Sequence, residues 1–108
     1  MYKNIINDIY FKVKTPIGKE IRVTKSHWNK LIEVKHPNMK GKENLVKDTL
    51  NRPDEIRRSK SDNTISLYYK FFRKYYCCVV TKNINDEGHI VTSYMTDKIK
   101  EGEQIWVK

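Results

Sequence analysis

The stretch TISLYYKFFRKYYCCVVTK, residues 64–82, decides the fold. Its first half alternates: Ile65, Leu67, Tyr69 and Phe71 fall on one face, and Ser66, Tyr68, Lys70 and Phe72 on the other. A period of two is the mark of a β-strand. Arg73-Lys74 is a tight connection, and YYCCVVTK (75–82) follows as a nearly continuous apolar run. Such a run is expected of a central strand covered on both faces. The two halves together predict an antiparallel pair at the middle of a sheet.

Downstream, NINDEG (83–88) has turn character, and HIVTSYMT (89–96) is a further strand. DKIKEGE (97–103) reads as a turn or short bend, and QIWV (104–107) as a short edge strand. Upstream, DEIRRSK (54–60) is the first strand of this meander and SDN (61–63) its turn.

Two helical segments precede the meander. KSHWNKLIEVK (25–35) places Trp28, Leu31 and Ile32 on one apolar stripe, with Thr24 as its cap. His36 stands directly before Pro37, and the residue before a proline is disfavoured in a helix, so the helix ends there. KENLVKDTLN (42–51) sets Leu45, Val46, Thr49 and Leu50 on one face and stops before Pro53. Residues 9–14 and 21–23 are β-like around the turn TPIGKE (15–20).

Helices first and then a meander predict an α+β domain: N-terminal helices packed on one face of a curved, four-stranded antiparallel sheet. With 108 residues the chain fits one domain over 1–108, with 1–23 as an N-terminal hairpin or extension. No run approaches the roughly 18 apolar residues of a membrane span, and the N-terminus lacks the pattern of a signal peptide. Cys77 and Cys78 are adjacent in the apolar strand and point to opposite faces, so they read as buried free thiols in a reduced, cytoplasmic compartment.

The net charge is +9, from 22 Lys+Arg against 13 Asp+Glu. Such a field draws polyanions, of which RNA is the obvious one. The charge is uneven. Arg57, Arg58, Lys60, Lys70, Arg73 and Lys74 crowd the middle of the chain against Asp62 alone, while 84–104 is acidic. Nothing has the spacing of a metal site, a glycine-rich phosphate loop or a nucleophile elbow, so no metal and no cofactor is expected. The aromatic residues Tyr68, Tyr69, Phe71, Phe72, Tyr75 and Tyr76 lie among the basic ones and suit stacking on bases of single-stranded RNA, or simple core and surface packing.

The chemistry left is that of imidazole, guanidinium and hydroxyl groups. They suffice for metal-independent cleavage of RNA, in which the ribose 2′-hydroxyl attacks the adjacent phosphate. An imidazole moves the proton and an arginine grips the phosphate. His27 and His36 lie on the helical side. Thr92 and Tyr94 share a face of the fourth strand, and strand parity puts Arg57 and Arg58 on opposite faces without saying which meets them.

These residues carry a resemblance. Trp28 with His36-Pro37, TLNRPDEIRRSKSD (49–62), LYYK (67–70) and GHIVTSYMTDKIKEGEQIW (88–106) resemble the phage-associated branch of the barnase–EndoU–colicin–RelE (BECR) ribonucleases, over about residues 22–106. The resemblance implies a BECR-type fold and a metal-independent endoribonuclease that leaves a 2′,3′-cyclic phosphate. It further implies a toxin of a toxin–antitoxin pair, with RNA and an acidic antitoxin as partners and no membrane. By position, His36 would be the general base or acid, Arg58 the phosphate clamp and Thr92 a donor to phosphate oxygen. Tyr69 or Tyr94 would orient or protonate. The spacing from Trp28 to His36 is about one residue longer than the resemblance leads one to expect, which keeps His27 beside His36 as the catalytic imidazole. Arg57, Lys60, Lys70, Arg73 and Lys74 are the expected RNA-binding residues. The alternative is a non-catalytic module that binds nucleic acid or a protein partner on the same basic sheet.

Overall fold

A computed structural model describes residues 8–99 and 101–108. Residues 1–7 of the expected N-terminal extension, and Lys100 in the expected bend, lie outside them. The strands are β1 (Ile9–Lys14), β2 (Glu20–Thr24), β3 (Glu55–Arg58), β4 (Ile65–Phe72), β5 (Tyr75–Ile84), β6 (Glu87–Thr96) and β7 (Glu103–Val107). The helices are α1 (Lys25–Lys30) and α2 (Glu43–Asn51). All the strands join one seven-stranded sheet in the order β1-β2-β6-β5-β4-β3-β7.

The expected four-stranded antiparallel sheet under N-terminal helices is therefore corrected to a mixed α/β arrangement dominated by strands, with only two short α-helices among the described residues. Two additions account for the difference. The hairpin β1–β2 is built into the sheet, because β2 pairs in parallel with β6 through Glu20–Glu87, Ile21–Gly88 and Arg22–His89. Gly88 makes that approach possible: a Cβ there would stand 2.9 Å from Ile21 Cδ1 and 2.7 Å from the Lys82 carbonyl oxygen. At the other edge, β7 pairs antiparallel with β3 from Glu55–Val107 to Arg58–Glu103.

The expected central pair is present in register, with Tyr69 opposite Cys78 and Leu67 opposite Val80. One face of the sheet is covered by the helices. Ile21, Val23, Ile56, Tyr68, Cys77, Val79 and Ile90 meet Trp28, Leu31, Met39, Val46 and Leu50 there in a single buried core. Thr24 caps α1 as expected, its Oγ1 accepting from the His27 amide at 3.1 Å.

The opposite face carries a second, smaller cluster of Leu67, Tyr69 and Cys78, flanked by Tyr76, Val80, Tyr94 and Ile99. Ile99 reaches it because of the chain path. β6 ends at Thr96, opposite Tyr76, and β7 begins at Glu103, opposite Arg58, at the other end of the sheet. Between these two ends Ile99 packs on the helix-free face, like a strap laid across it.

Candidate functional site

Register gathers the candidate residues on the helix-free face in two rows. Glu55, Tyr69, Cys78 and Tyr94 are successive partners across β3, β4, β5 and β6. Two residues further along, Arg57, Leu67, Val80 and Thr92 form the next row. The rows are about 7 Å apart, the repeat of two residues along a strand.

His36 enters this face from the helical half. After α1 the chain continues as a single π-helical turn, Leu31–Lys35, closed by the His36 amide on the Leu31 carbonyl at 2.8 Å. A π-turn takes in one residue more than an α-turn. Pro37 then starts a short 3₁₀ turn, Pro37–Met39. The outcome is an imidazole seated at the edge of β6, its ring 5.6 Å from that of Tyr94 between centroids.

Tyr94 and Tyr69 flank Cys78 from either side. Burial, then the neighbouring Cys78 and, further off, the Glu101 carboxylate hold both phenols well above their ordinary range. Burial pushes the Cys78 thiol up to about 12, against the pull of hydrogen bonds with Tyr94 and Tyr69. All three groups keep their protons near neutral pH. The phenols are hydrogen-bond donors, and Cys78 is a packing residue.

Arg57 is half-buried and oriented on this face. Its Nε donates to Glu55 Oε2 at 2.5 Å and its Nη1 to the Gly102 carbonyl at 3.0 Å. Arg58 points the other way. It shares the face of Ile56, opposite Ser66, and is exposed at the end of the strand. The arginine in the row of Thr92 is thus Arg57. Tyr69 is only 2% exposed, and the Thr92 Oγ1 is shut off from solvent with no hydrogen-bond partner among the described residues. Tyr69 thus stands beneath the surface, and half-buried Thr92 turns its hydroxyl inward.

His27 is not brought to Tyr94. Its Nε2 lies 3.1 Å from the Val91 carbonyl, where a bulge shifts the register of β6, and it lines a small groove with Arg22 and His89. Burial first, then the positive charges of His27, Arg22 and Lys82, lowers the His89 imidazole below its usual range.

The basic stretch is dispersed. Lys70 turns to the helix side, donating to the Arg52 carbonyl at 2.8 Å with Asp48 at 3.7 Å. Lys60 lies in the β3–β4 loop at one end of the sheet, and Arg73 and Lys74 form the β4–β5 turn at the other, with Arg73 at φ +63°. Arg57 is the one member of the stretch inside the two rows.

Glu55, Cys78 and the strap residues Ile99 and Glu101 were missed by reading residues for chemistry. The pairing of Glu55 with Arg57 had a signal in their two-residue spacing on one strand. The strap had none, because it follows from where β7 docks. Among the described residues no group of three or more His, Cys, Asp or Glu converges as a metal site, and no helix is long and apolar enough to cross a membrane. Comparison with protein-family models, with curated proteins and with solved structures finds no match to this chain.

Proposed function

We propose that the chain is a metal-independent endoribonuclease whose site is the His36 end of the helix-free face. One observation carries the reading: a helix-end imidazole rests on Tyr94, in the row that also holds Tyr69, with Arg57 and Thr92 in the next row. In this reading His36 takes the proton of the ribose 2′-hydroxyl, whose oxygen attacks the neighbouring phosphorus; the bond to the 5′-oxygen breaks and that oxygen takes the proton from the imidazolium, leaving a 2′,3′-cyclic phosphate and a 5′-hydroxyl. Tyr94 seats the imidazole and, keeping its proton, donates a hydrogen bond toward the phosphate. Arg57, three strands away on β3 and about 14 Å off by strand spacing, adds to the positive field of the face rather than touching the phosphate. Tyr69 and Thr92 support the surface from below.

The likeness of residues 49–62 and 88–106 to BECR ribonucleases points to the same chemistry, as does the net charge of +9. A toxin acting on RNA in the cytoplasm, held in check by an acidic antitoxin, is the setting that fits this reading. The test is incubation of purified protein with RNA in EDTA. Fragments ending in 2′,3′-cyclic phosphate are expected; intact RNA, or cleavage only on adding a divalent metal, rejects the mechanism.

A second reading is a non-catalytic nucleic-acid-binding module. It draws on Arg57 being held by Glu55 and Gly102, and on Tyr69 and Thr92 being covered. Both readings predict binding that weakens with salt, so product ends, not affinity, separate them.

A further inference from the structure

Past the contact of His36 with Tyr94, the end of the sheet opens into a groove of about 780 Å³. Asn38, two residues beyond His36, and Thr96, two beyond Tyr94, belong to its lining, so the groove adjoins the candidate site at the edge of β6, while its rings open on the helix-side face, opposite to Tyr94 and Tyr69. Its floor is aromatic. Phe72 and Tyr75 are direct partners across the β4–β5 hairpin and remain 36% and 48% exposed. Two adjacent large rings left open to water form an apolar patch of the kind that binding surfaces use.

The charge of the groove selects the occupant. Lys42, Arg73 and Lys74 line it against Asp97 as the sole acid of the lining. The Arg73 guanidinium stands 5.0 Å over the Phe72 ring, held there by a turn residue in the left-handed region. Flat rings beside cations accommodate a base with its phosphate, since every base offers a π-face and every linkage a charge. A duplex hides its base faces within the stack and cannot use such a floor. An acidic protein would satisfy the cations but has no need of two adjacent flat rings.

We infer that this groove, at the sheet end next to the segment that carries His36, holds an unpaired base and its phosphate, so that the ligand of this chain is single-stranded RNA and not duplex. The inference deepens the nuclease reading, yet its test does not depend on cleavage. The probe is a fluorescently labelled oligoribonucleotide with every 2′-hydroxyl methylated, which cannot be cut by 2′-hydroxyl attack. Its binding is followed by anisotropy, as a single strand and annealed to its complement.

The single strand is expected to bind at least tenfold more tightly than the duplex. The double variant Phe72→Ala/Tyr75→Ala should weaken single-strand binding by about tenfold or more, within the range of base–aromatic stacking, while Tyr75→Phe retains it. Both rings are exposed, so the variants should keep the wild-type circular dichroism. Equal affinity for the duplex, or unchanged binding by the double variant, overturns the inference and leaves the groove to a protein partner. Preference for single strands with no cleavage in EDTA would remove the nuclease reading alone. Cleavage of duplex and single strand alike would remove this inference alone.

Discussion

The ring of His36 lies 5.6 Å from the ring of Tyr94, the planes inclined at 43°. The two residues come from opposite halves of the chain, and a π-turn and a proline fix the first while the register of β6 fixes the second. If this pair performs the proton transfer, His36→Ala should lower RNA cleavage by about 100-fold or more, the scale of a lost general base, with the circular dichroism unchanged. Tyr94→Phe keeps the ring seat and should lose less than Tyr94→Ala. A His36→Ala enzyme with wild-type rates would assign cleavage to another site or to a contaminant.

The neighbouring arginines should behave differently. Arg57 sits in the row of Thr92, while Arg58 shares the face of Ile56. Arg57→Ala should therefore lower cleavage by a few-fold, as the loss of positive field on that face, and by more than Arg58→Ala. Arg57→Ala also removes hydrogen bonds to Glu55 and to the Gly102 carbonyl, worth about 1–3 kcal/mol as bonds of a charged group. Urea denaturation run alongside separates that loss from the catalytic one. Equal effects of the two substitutions would put the active surface elsewhere.

Gly102 anchors the strap at its β7 end. Its φ is +86°, and a Cβ would stand 2.7 Å from the Arg58 carbonyl oxygen. Gly102→Ala combines a left-handed backbone with a clash against a strand, so about 2 kcal/mol or more of stability should be lost. For a domain of this size that is a fall in melting temperature of roughly 10 °C, readable by differential scanning fluorimetry. An unchanged melting temperature would mean that the strap is not docked there.

Cys77 and Cys78 are both free, and burial raises both thiols, Cys78 to about 12. Since the thiolate is the reactive form, neither should react with a disulfide reagent at about pH 8 in the folded protein. Both should react at once in guanidinium. Rapid labelling of the native chain would contradict the covered tyrosine–cysteine cluster.

Asp54 ties β4 to the end of β7. It accepts from the Phe71 amide at 2.7 Å and pairs with Lys108 at 3.1 Å. Burial disfavours its charge, but these partners outweigh burial and hold the carboxyl below its ordinary range. A carboxyl depressed in the folded state is protonated first in the unfolded one. Its stabilisation is complete above the unfolded value of about 3.9 and is lost as pH falls through the lower folded value. Urea midpoints of wild type and Asp54→Asn should accordingly differ at neutral pH and converge in acid. A constant difference would show that the charge of Asp54 does not matter.

The local pattern of the sequence carried most of the strands. Alternation over 65–72 placed Tyr69 and Tyr68 on their proper faces, Thr24 and Pro37 marked the ends of the first helical segment, and the edge strand near 104–107 was legible. What was not legible is non-local. Parity set Arg57 and Arg58 apart, but only the pairing of β3 with β4 decides which one joins Thr92. The period of α1 gave no hint of the π-turn, because an i→i+5 bond changes the ladder without changing the residues. The sheet grew beyond four strands in part through partners 67 residues apart, such as Arg22 and His89, which no window of sequence can see.

That parallel seam of three residue pairs between β2 and β6 also has a kinetic consequence. Neighbours in the meander meet after short loops close, whereas the seam must bring together segments from opposite thirds of the polypeptide. Entropy sets a higher toll on long closures, and topologies rich in them mature slowly. The amino-terminal hairpin is thus expected to dock last, after the meander has paired.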